Sequence, residues 1–141
     1  MNDVSNYLKI LGQTNEIALA TAIENVPNVR IVNFCFNPKN PGVLYFASDI
    51  TNNKVREFEQ NNVIAFTTVP ADGGIPHIRS VRAAVEKSGR SMDEMAPLFI
   101  SAIPGYDEAI AAIGDALTVF EIHVMEAVVI TGFEEPDFVT F

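Results

Sequence analysis

The spacing of hydrophobic positions predicts three helical regions in this chain. Near its start, apolar side chains recur at the spacing of one helical stripe: Val4, Tyr7, Leu8 and Leu11. This stripe predicts a helix over residues 3–12. A second helix is expected over residues 52–60, and a longer helical region over 91–113 is expected to form two pieces, because Pro104 and Gly105 interrupt it.

Short apolar runs bounded by Pro, Gly and Asn predict six strands. They lie at residues 17–22, 29–36, 43–48, 63–69, 77–87 and 117–131. The segment NPKNPG (37–42) predicts a hairpin between the second and third strands, and the last ten residues are predicted to be irregular. Six strands with mostly short connections and few helices predict a mainly β protein, an antiparallel barrel with helices at its rim. A length of 141 residues predicts one domain, 1–141.

Charge is distributed unevenly along the chain. Nine basic residues stand against 18 acidic ones, and eight of the nine lie within residues 30–90, whereas residues 91–141 hold ten acidic residues and no basic one. The overall acidity argues against a general binder of nucleic acid or anionic membranes. The basic middle third either contains a site for a small anion, such as a phosphate, or consists of solvated strand edges and helix faces.

The sequence assigns no catalytic residue and no metal site. The single cysteine, Cys35, excludes an intramolecular disulfide and is interpreted as a packed core residue. His77 and His123 have no convincing partner at a characteristic spacing, so both are interpreted as structural. Neither a transmembrane-length apolar run nor a signal peptide is evident, which predicts a cytoplasmic protein.

Three residues form a candidate phosphate site. Lys54 lies where a helix is predicted to begin, and the N–H groups of a helix N-terminus favour anions. Arg30 adds a forked pair of donors, and Ser48, at the end of a strand, adds a hydroxyl. Such a set is suited to a phosphate monoester.

At these positions the chain resembles the pyridoxamine 5′-phosphate oxidase-related, FMN-binding split-barrel proteins. The resemblance covers about residues 4–90. It rests on the order and spacing of four segments: IALATA (17–22), VRIVNF (29–34), VLYFAS (43–48) and TNNKVREFEQNNVIAFT (51–67).

The resemblance implies a six-stranded antiparallel split barrel that forms a homodimer with FMN at the subunit interface. The residues that it implies for cofactor binding are Arg30, Ile31, Val32, Asn33, Ala47, Ser48, Asn53, Lys54 and Thr67. Thr68 is the alternative to Thr67 at the end of the fourth strand, and Arg79 and Arg82 could reach the cofactor from the partner subunit.

The function implied is that of an FMN-dependent oxidoreductase acting on a small molecule. The vitamin B6 oxidases of the family end in an R-L-x-P-type segment near tryptophan-containing sequence, whereas this chain has no tryptophan and ends in GFEEPDFVTF, which argues against that activity. A second hypothesis is a non-catalytic module that carries flavin or another planar or phosphorylated ligand, such as a deazaflavin or haem. A third is a structural dimer without a ligand.

Overall fold

The computed structural model describes residues 3–141, so residues 1 and 2 of the predicted domain lie outside it. The helices are α1 (Ser5–Leu11), α2 (Asn53–Gln60), α3 (Met92–Ala102) and α4 (Tyr106–Ile113), and a 3₁₀ turn follows at Gly114–Ala116. No helix in the described part of the chain is long and apolar enough to cross a bilayer. The cytoplasmic location stays a prediction.

An antiparallel sheet curls into a barrel, which confirms the predicted fold class. Its strands are β1 (Glu16–Ile23), β2 (Val26–Asn33), β3 (Cys35–Phe36), β4 (Val43–Asp49), β5 (Val63–Thr68), β6 (His77–Lys87), β7 (Leu117–Ile130) and β8 (Asp137–Thr140). The order is β2-β1-β5-β6-β7-β4-β3, and β8 pairs with β7. Within residues 3–141 there are therefore eight strands, not the six expected.

One of the two additional strands arises because the predicted strand 29–36 is divided between two neighbours. Residues of β2 pair with β1, whereas Cys35 and Phe36 of β3 pair with β4. The predicted hairpin across NPKNPG is therefore formed, on its first side, only by the last two residues of the predicted strand, Cys35 and Phe36. Since β2 and β3 follow each other directly and pair with opposite ends of the strand order, this stretch brings the two ends of the sheet together.

The turn before β2 is tighter than the sequence predicted. Glu24 and Asn25 both have positive φ, 48° and 66°, and Ile23 pairs directly with Val26. A two-residue turn with two left-handed residues matches the right-handed twist of a hairpin. Pro27 lies inside β2 rather than in the loop, and an edge strand tolerates it because one side of its backbone is not hydrogen-bonded.

The other additional strand is in the C-terminal tail, where the prediction of irregular structure is wrong. β8 pairs with residues 126–129 of β7, and Val139 is buried in the core. The long strand β7 makes this possible, because its first half, residues 117–123, pairs with β4 and leaves the same edge of its second half free. The tail therefore completes an edge that no earlier strand reaches.

The core has two layers. The barrel interior is filled by large apolar side chains, among them Leu19, Leu44, Phe46, Ile78 and Ile122. On the other face of β4, residues of the sheet pack against α3, forming a second cluster that contains Cys35, Val43, Tyr45, Met95 and Phe99. Burial of Cys35 confirms its interpretation as a core residue and raises the pKa of its thiol to about 12.

Candidate anion-binding site

Arg30 connects β1 and β2 to α2 at one end of the barrel. It lies opposite the buried Leu19, so its side chain is on the core-facing side of β2. Nη1 donates to the Leu19 carbonyl at 3.2 Å and to the Thr21 hydroxyl at 2.9 Å. Nη2 donates to Oε1 of Glu57 at 2.8 Å, and the two side chains are only 20% and 12% exposed. Arg30 is therefore part of the fold as well as a candidate ligand.

Glu57 of α2 accepts several further hydrogen bonds. The Thr21 hydroxyl donates to Oε2, and the Asn28 amide donates to Oε1 at 3.3 Å. Burial alone raises the pKa of Glu57, but the Thr21 hydrogen bond, the Arg30 charge and the remaining hydrogen bonds outweigh it, so the pKa lies below its ordinary value. Glu57 thus balances the charge of Arg30. These contacts use three of the five guanidinium N–H donors.

Lys54 has no such balance. It is the second residue of α2, and its backbone N–H donates to the side chain of the N-cap residue Asn52 at 3.1 Å. Its side chain is half-buried, and no carboxylate lies within ion-pair distance anywhere in residues 3–141. Burial, and then the nearby charge of Arg30, lower the pKa of Lys54. The fold therefore brings two cations together, and the described part of the chain provides a carboxylate for only one of them.

The end of β4 leads into this region. Ser48 is buried, and its hydroxyl donates to the carbonyl of Asp49 at 3.4 Å. Within the described residues no hydrogen bond connects Ser48 with Arg30 or Lys54. Ala47 precedes it in β4, and Asn53 is exposed as the first residue of α2. For Ala47, Ser48 and Asn53 cofactor binding stays a prediction.

A row of predicted site residues crosses the outer face of the sheet. Ile31 of β2 pairs with Ala18 of β1, Ala18 pairs with Thr67 of β5, and Thr67 pairs with Arg79 of β6. Direct partners in a sheet share a face, so Ile31, Thr67 and Arg79 lie on the same side. Arg30 and Val32 point the other way, and Val32 packs against the core. The predicted site residues of β2 are thus divided between the two faces of the strand.

The structure separates the two candidate threonines. The hydroxyl of Thr68 is buried and accepts the backbone N–H of Ile78 at 2.9 Å, so Thr68 supports the barrel interior. Thr67 is only partly buried and belongs to the outer row. At the far end of β2, Asn33 faces outward and donates to the Asn15 backbone and side chain, each at 3.3 Å. Arg82 is exposed at an irregularity of β6, opposite Glu126.

Sequence reasoning missed the acidic partners of His123. Nε2 of His123 lies 2.9 Å from Oε1 of Glu86 and 2.9 Å from Oε1 of Glu121. Glu121 is two residues away on the same strand, a spacing that could have indicated the contact, whereas Glu86 comes from β6. Nδ1 of His77 lies 2.7 Å from the backbone carbonyl of Ile75.

The model of one protein family, described as pyridoxamine 5'-phosphate oxidase-like, matches residues 10–135. The chain belongs to this family. The match covers most of the chain, including the segments on which the resemblance rests. No protein of curated function matches the chain significantly by sequence.

Several solved structures have the same fold as this family member. A heme binding protein from Mycobacterium smegmatis has a TM-score of 0.75 at 16% identity, covering 97% of this chain but only 57% of its own. A NimC/NimA family protein from Clostridium acetobutylicum has a TM-score of 0.68 at 19% identity, covering 98% and 92%. The General Stress Protein 26 from Bacillus anthracis has a TM-score of 0.71 at 14% identity, covering 99% and 100%. At these identities the likeness establishes the fold alone.

Proposed function

We propose that this protein binds FMN and is an FMN-dependent oxidoreductase acting on a small molecule. The observation that carries the proposal is Lys54, a half-buried cation beside Arg30 with no carboxylate of its own in the described residues. A phosphate at this position would form the missing ion pair with Lys54. The unused N–H groups of Arg30 are further donors, and the positive end of the α2 dipole favours an anion.

The rest of the nucleotide would follow β2 away from the phosphate. β2 is an edge strand of the sheet order, so its backbone offers donors on one side. Donors beside the N1/O2 edge of the flavin would stabilise its reduced, anionic form, and Ile31 and Thr67 offer an outward face near this edge. Bound FMN supplies the electron-transfer chemistry, so the chain needs no acid–base constellation of its own.

The apolar outer face supports the proposed homodimer. Val29 and Ile31 of β2 are 64% and 58% exposed. Their partners across β1 are Ala20 and Ala18, and Ala20 also pairs with Ala65 of β5. Small side chains between exposed branched ones form a flat apolar surface that a second copy could cover. A strict monomer at working concentration would contradict a cofactor site shared between subunits.

A second candidate function is a carrier that binds a planar ligand without turnover. The fold is that of a heme binding protein from M. smegmatis, and the same cationic end could hold the acidic groups of haem or the phosphate of a deazaflavin. Vitamin B6 oxidase activity is not proposed, because the tail is the structural strand β8 and the chain lacks tryptophan.

The proposed phosphate contact is tested by titrating the purified chain with FMN and following the flavin absorption and fluorescence. Lys54→Met should weaken binding by about 10–100-fold, the equivalent of one charged hydrogen bond of about 1.5–3 kcal/mol. The matched control is Lys39→Met, since Lys39 is exposed in the loop before β4. Equal affinity in both variants would remove the phosphate assignment.

Turnover distinguishes the two candidate functions. The FMN-loaded chain is mixed with a reduced nicotinamide and an artificial electron acceptor, and nicotinamide oxidation is followed. Oxidation faster than with free FMN supports the oxidoreductase, whereas tight FMN binding without it supports the carrier. Binding of haemin in preference to FMN, with a haem absorption band, would replace flavin as the proposed ligand.

A further inference from the structure

On the outer face of β6 and β7, a second group of side chains converges on one point. It consists of Glu86, Glu121 and His123, whose ligand atoms all lie within 4.8 Å of one another. Both carboxylates lie 2.9 Å from the same imidazole nitrogen, Nε2 of His123. We infer that these three side chains bind a divalent transition-metal ion of the zinc class.

The first argument is electrostatic. Glu86 and Glu121 are direct cross-strand partners, and like charges in such positions repel each other. Across residues 3–141, no Lys or Arg lies within ion-pair distance of either carboxylate. Nε2 of His123 can carry only one N–H, so a single hydrogen bond must be divided between two carboxylates. A divalent cation at this point would attract both carboxylates and accept the imidazole nitrogen.

The second argument is the donor set, because an imidazole distinguishes this group from a purely acidic cluster. Mg²⁺ and Ca²⁺ select oxygen ligands alone, whereas one nitrogen and two carboxylate oxygens suit zinc and its neighbours. Ligand atoms around a tetrahedral zinc are roughly 3.3–3.6 Å apart, given bond lengths of about 2.0–2.2 Å. The observed 2.9 Å separations therefore need only a small expansion.

The third argument concerns what surrounds the ligands. The Ser88 hydroxyl donates to Oε2 of Glu121 at 2.6 Å, which leaves Oε1 directed at His123. Such a hydrogen bond behind a ligand is a regular feature of protein metal sites. Glu86 and His123 are 63% and 43% exposed, so water can reach the remaining coordination positions. Three protein ligands with an open position are typical of sites that exchange a water or a substrate.

Co²⁺ is the probe for this site, because its visible absorption reports a nitrogen and oxygen ligand field. Untagged chain is stripped of metal with a chelator and titrated with Co²⁺ in the absence of flavin, and Zn²⁺ is then added as a competitor. We expect one equivalent to bind. Removal of a hydrogen bond that supports a ligand lowers metal affinity by about 10–100-fold, and we expect Glu86→Gln and His123→Gln, which remove a ligand, to lose at least that much Co²⁺ affinity. Glu126→Gln, also on β7, is the matched control and should bind as the unmodified chain does.

The alternative outcomes are equally definite. Equal Co²⁺ affinity in all four proteins, or no absorption band at one equivalent, would overturn the proposal. Glu86 is exposed, so Glu86→Gln leaves the fold intact and remains informative if the His123 variant does not fold. Ser88→Ala should weaken the binding of Co²⁺ by about 10-fold. Because flavin is absent throughout, the result does not depend on whether the proposed FMN site is correct.

Discussion

Glu57 and Glu121 both accept hydrogen bonds from hydroxyl groups of neighbouring strands or loops, but their charges are balanced in different ways. Glu57 is nearly buried and pairs with Arg30, a permanent cation. Besides the Ser88 hydroxyl, the described residues near Glu121 are His123 and a second carboxylate, Glu86. The first network pairs its carboxylate with an arginine, whereas in the second, within residues 3–141, two carboxylates share one histidine and no Lys or Arg takes part.

This difference separates a structural network from a candidate ligand site. Burying a charge is costly unless it is paired, so the fold must provide Glu57 with its own cation. The charge of the exposed Glu86 can be stabilised by solvent or by a bound ion. The same reasoning applies to the two cations at the barrel end, where Arg30 is balanced internally and Lys54 is not. The predictions below test whether charge balance distinguishes structural groups from ligand-binding ones.

The largest effect is expected from Arg30→Met. It leaves Glu57 nearly buried without its cation, which should cost about 3 kcal/mol of unfolding free energy and lower Tm by roughly 6–12 °C. Urea and thermal unfolding measure the change. Arg56→Met is the control, because Arg56 is exposed on the same helix without an ion pair in the described residues. A loss no larger than that of the control would show that the Arg30–Glu57 pair is not structural.

The next effect is a loss of stability in acid. Because the folded-state pKa of Glu57 lies below its ordinary value of 4.5, its contribution is complete above that pH and is lost as the pH falls through the lowered pKa. Unfolding free energy measured from about pH 6 down to about pH 3 should therefore fall less steeply in Glu57→Gln than in the unmodified chain. Glu59→Gln, an exposed position on α2, should retain the full slope.

Lys54→Met should affect ligand binding far more than stability. Burial and the Arg30 charge lower the pKa of Lys54, so its charged form is disfavoured by folding; this penalty is complete below the lowered pKa and disappears as the pH rises from there to the ordinary value of 10.5. At neutral pH the ligand-free variant should be within about 0.5 kcal/mol of the unmodified chain, or more stable. Thermal unfolding without FMN measures this. A marked destabilisation would instead make Lys54 a structural residue.

The smallest effect is expected from Glu86→Gln in metal-free protein. Exposed ion pairs contribute between about 0 and 1 kcal/mol, so Tm should hardly change. Zn²⁺ at 100 times the Kd of the unmodified chain should then stabilise that chain by about 2.7 kcal/mol, and a variant with about 10–100-fold lower affinity by only about 0.4–1.4 kcal/mol at the same concentration. Equal stabilisation of both proteins would contradict the metal site and leave the two networks distinguished only by burial.

Much of the barrel could be predicted from local pattern, and the errors have identifiable causes. Short apolar runs bounded by turn residues predicted β1, β4 and β5 to within one residue at either end. The tail was missed because β8 has only four residues and forms only where β7 leaves an edge free. The division of residues 29–36 into β2 and β3 was missed because it depends on which strands lie beside them.

The candidate site was predictable only in part. Arg30 and Lys54 were identified from spacing and family resemblance, and the structure brings them within electrostatic range of each other. The Glu57 partner of Arg30 is 27 residues away on another element, and no local motif indicates it. The pairing of His123 with Glu86 likewise depends on the register between β6 and β7.

The sequence by itself determined the elements that depend on near neighbours: hydrophobic periodicity, turn residues, and a small number of cations in an acidic chain. Only the tertiary structure decided which charges meet. Periodicity specifies the face on which a side chain lies, but strand register and helix placement specify what stands opposite. For this reason, within residues 3–141, Arg30 has its carboxylate, Lys54 has none, and Glu86 and Glu121 converge on one histidine.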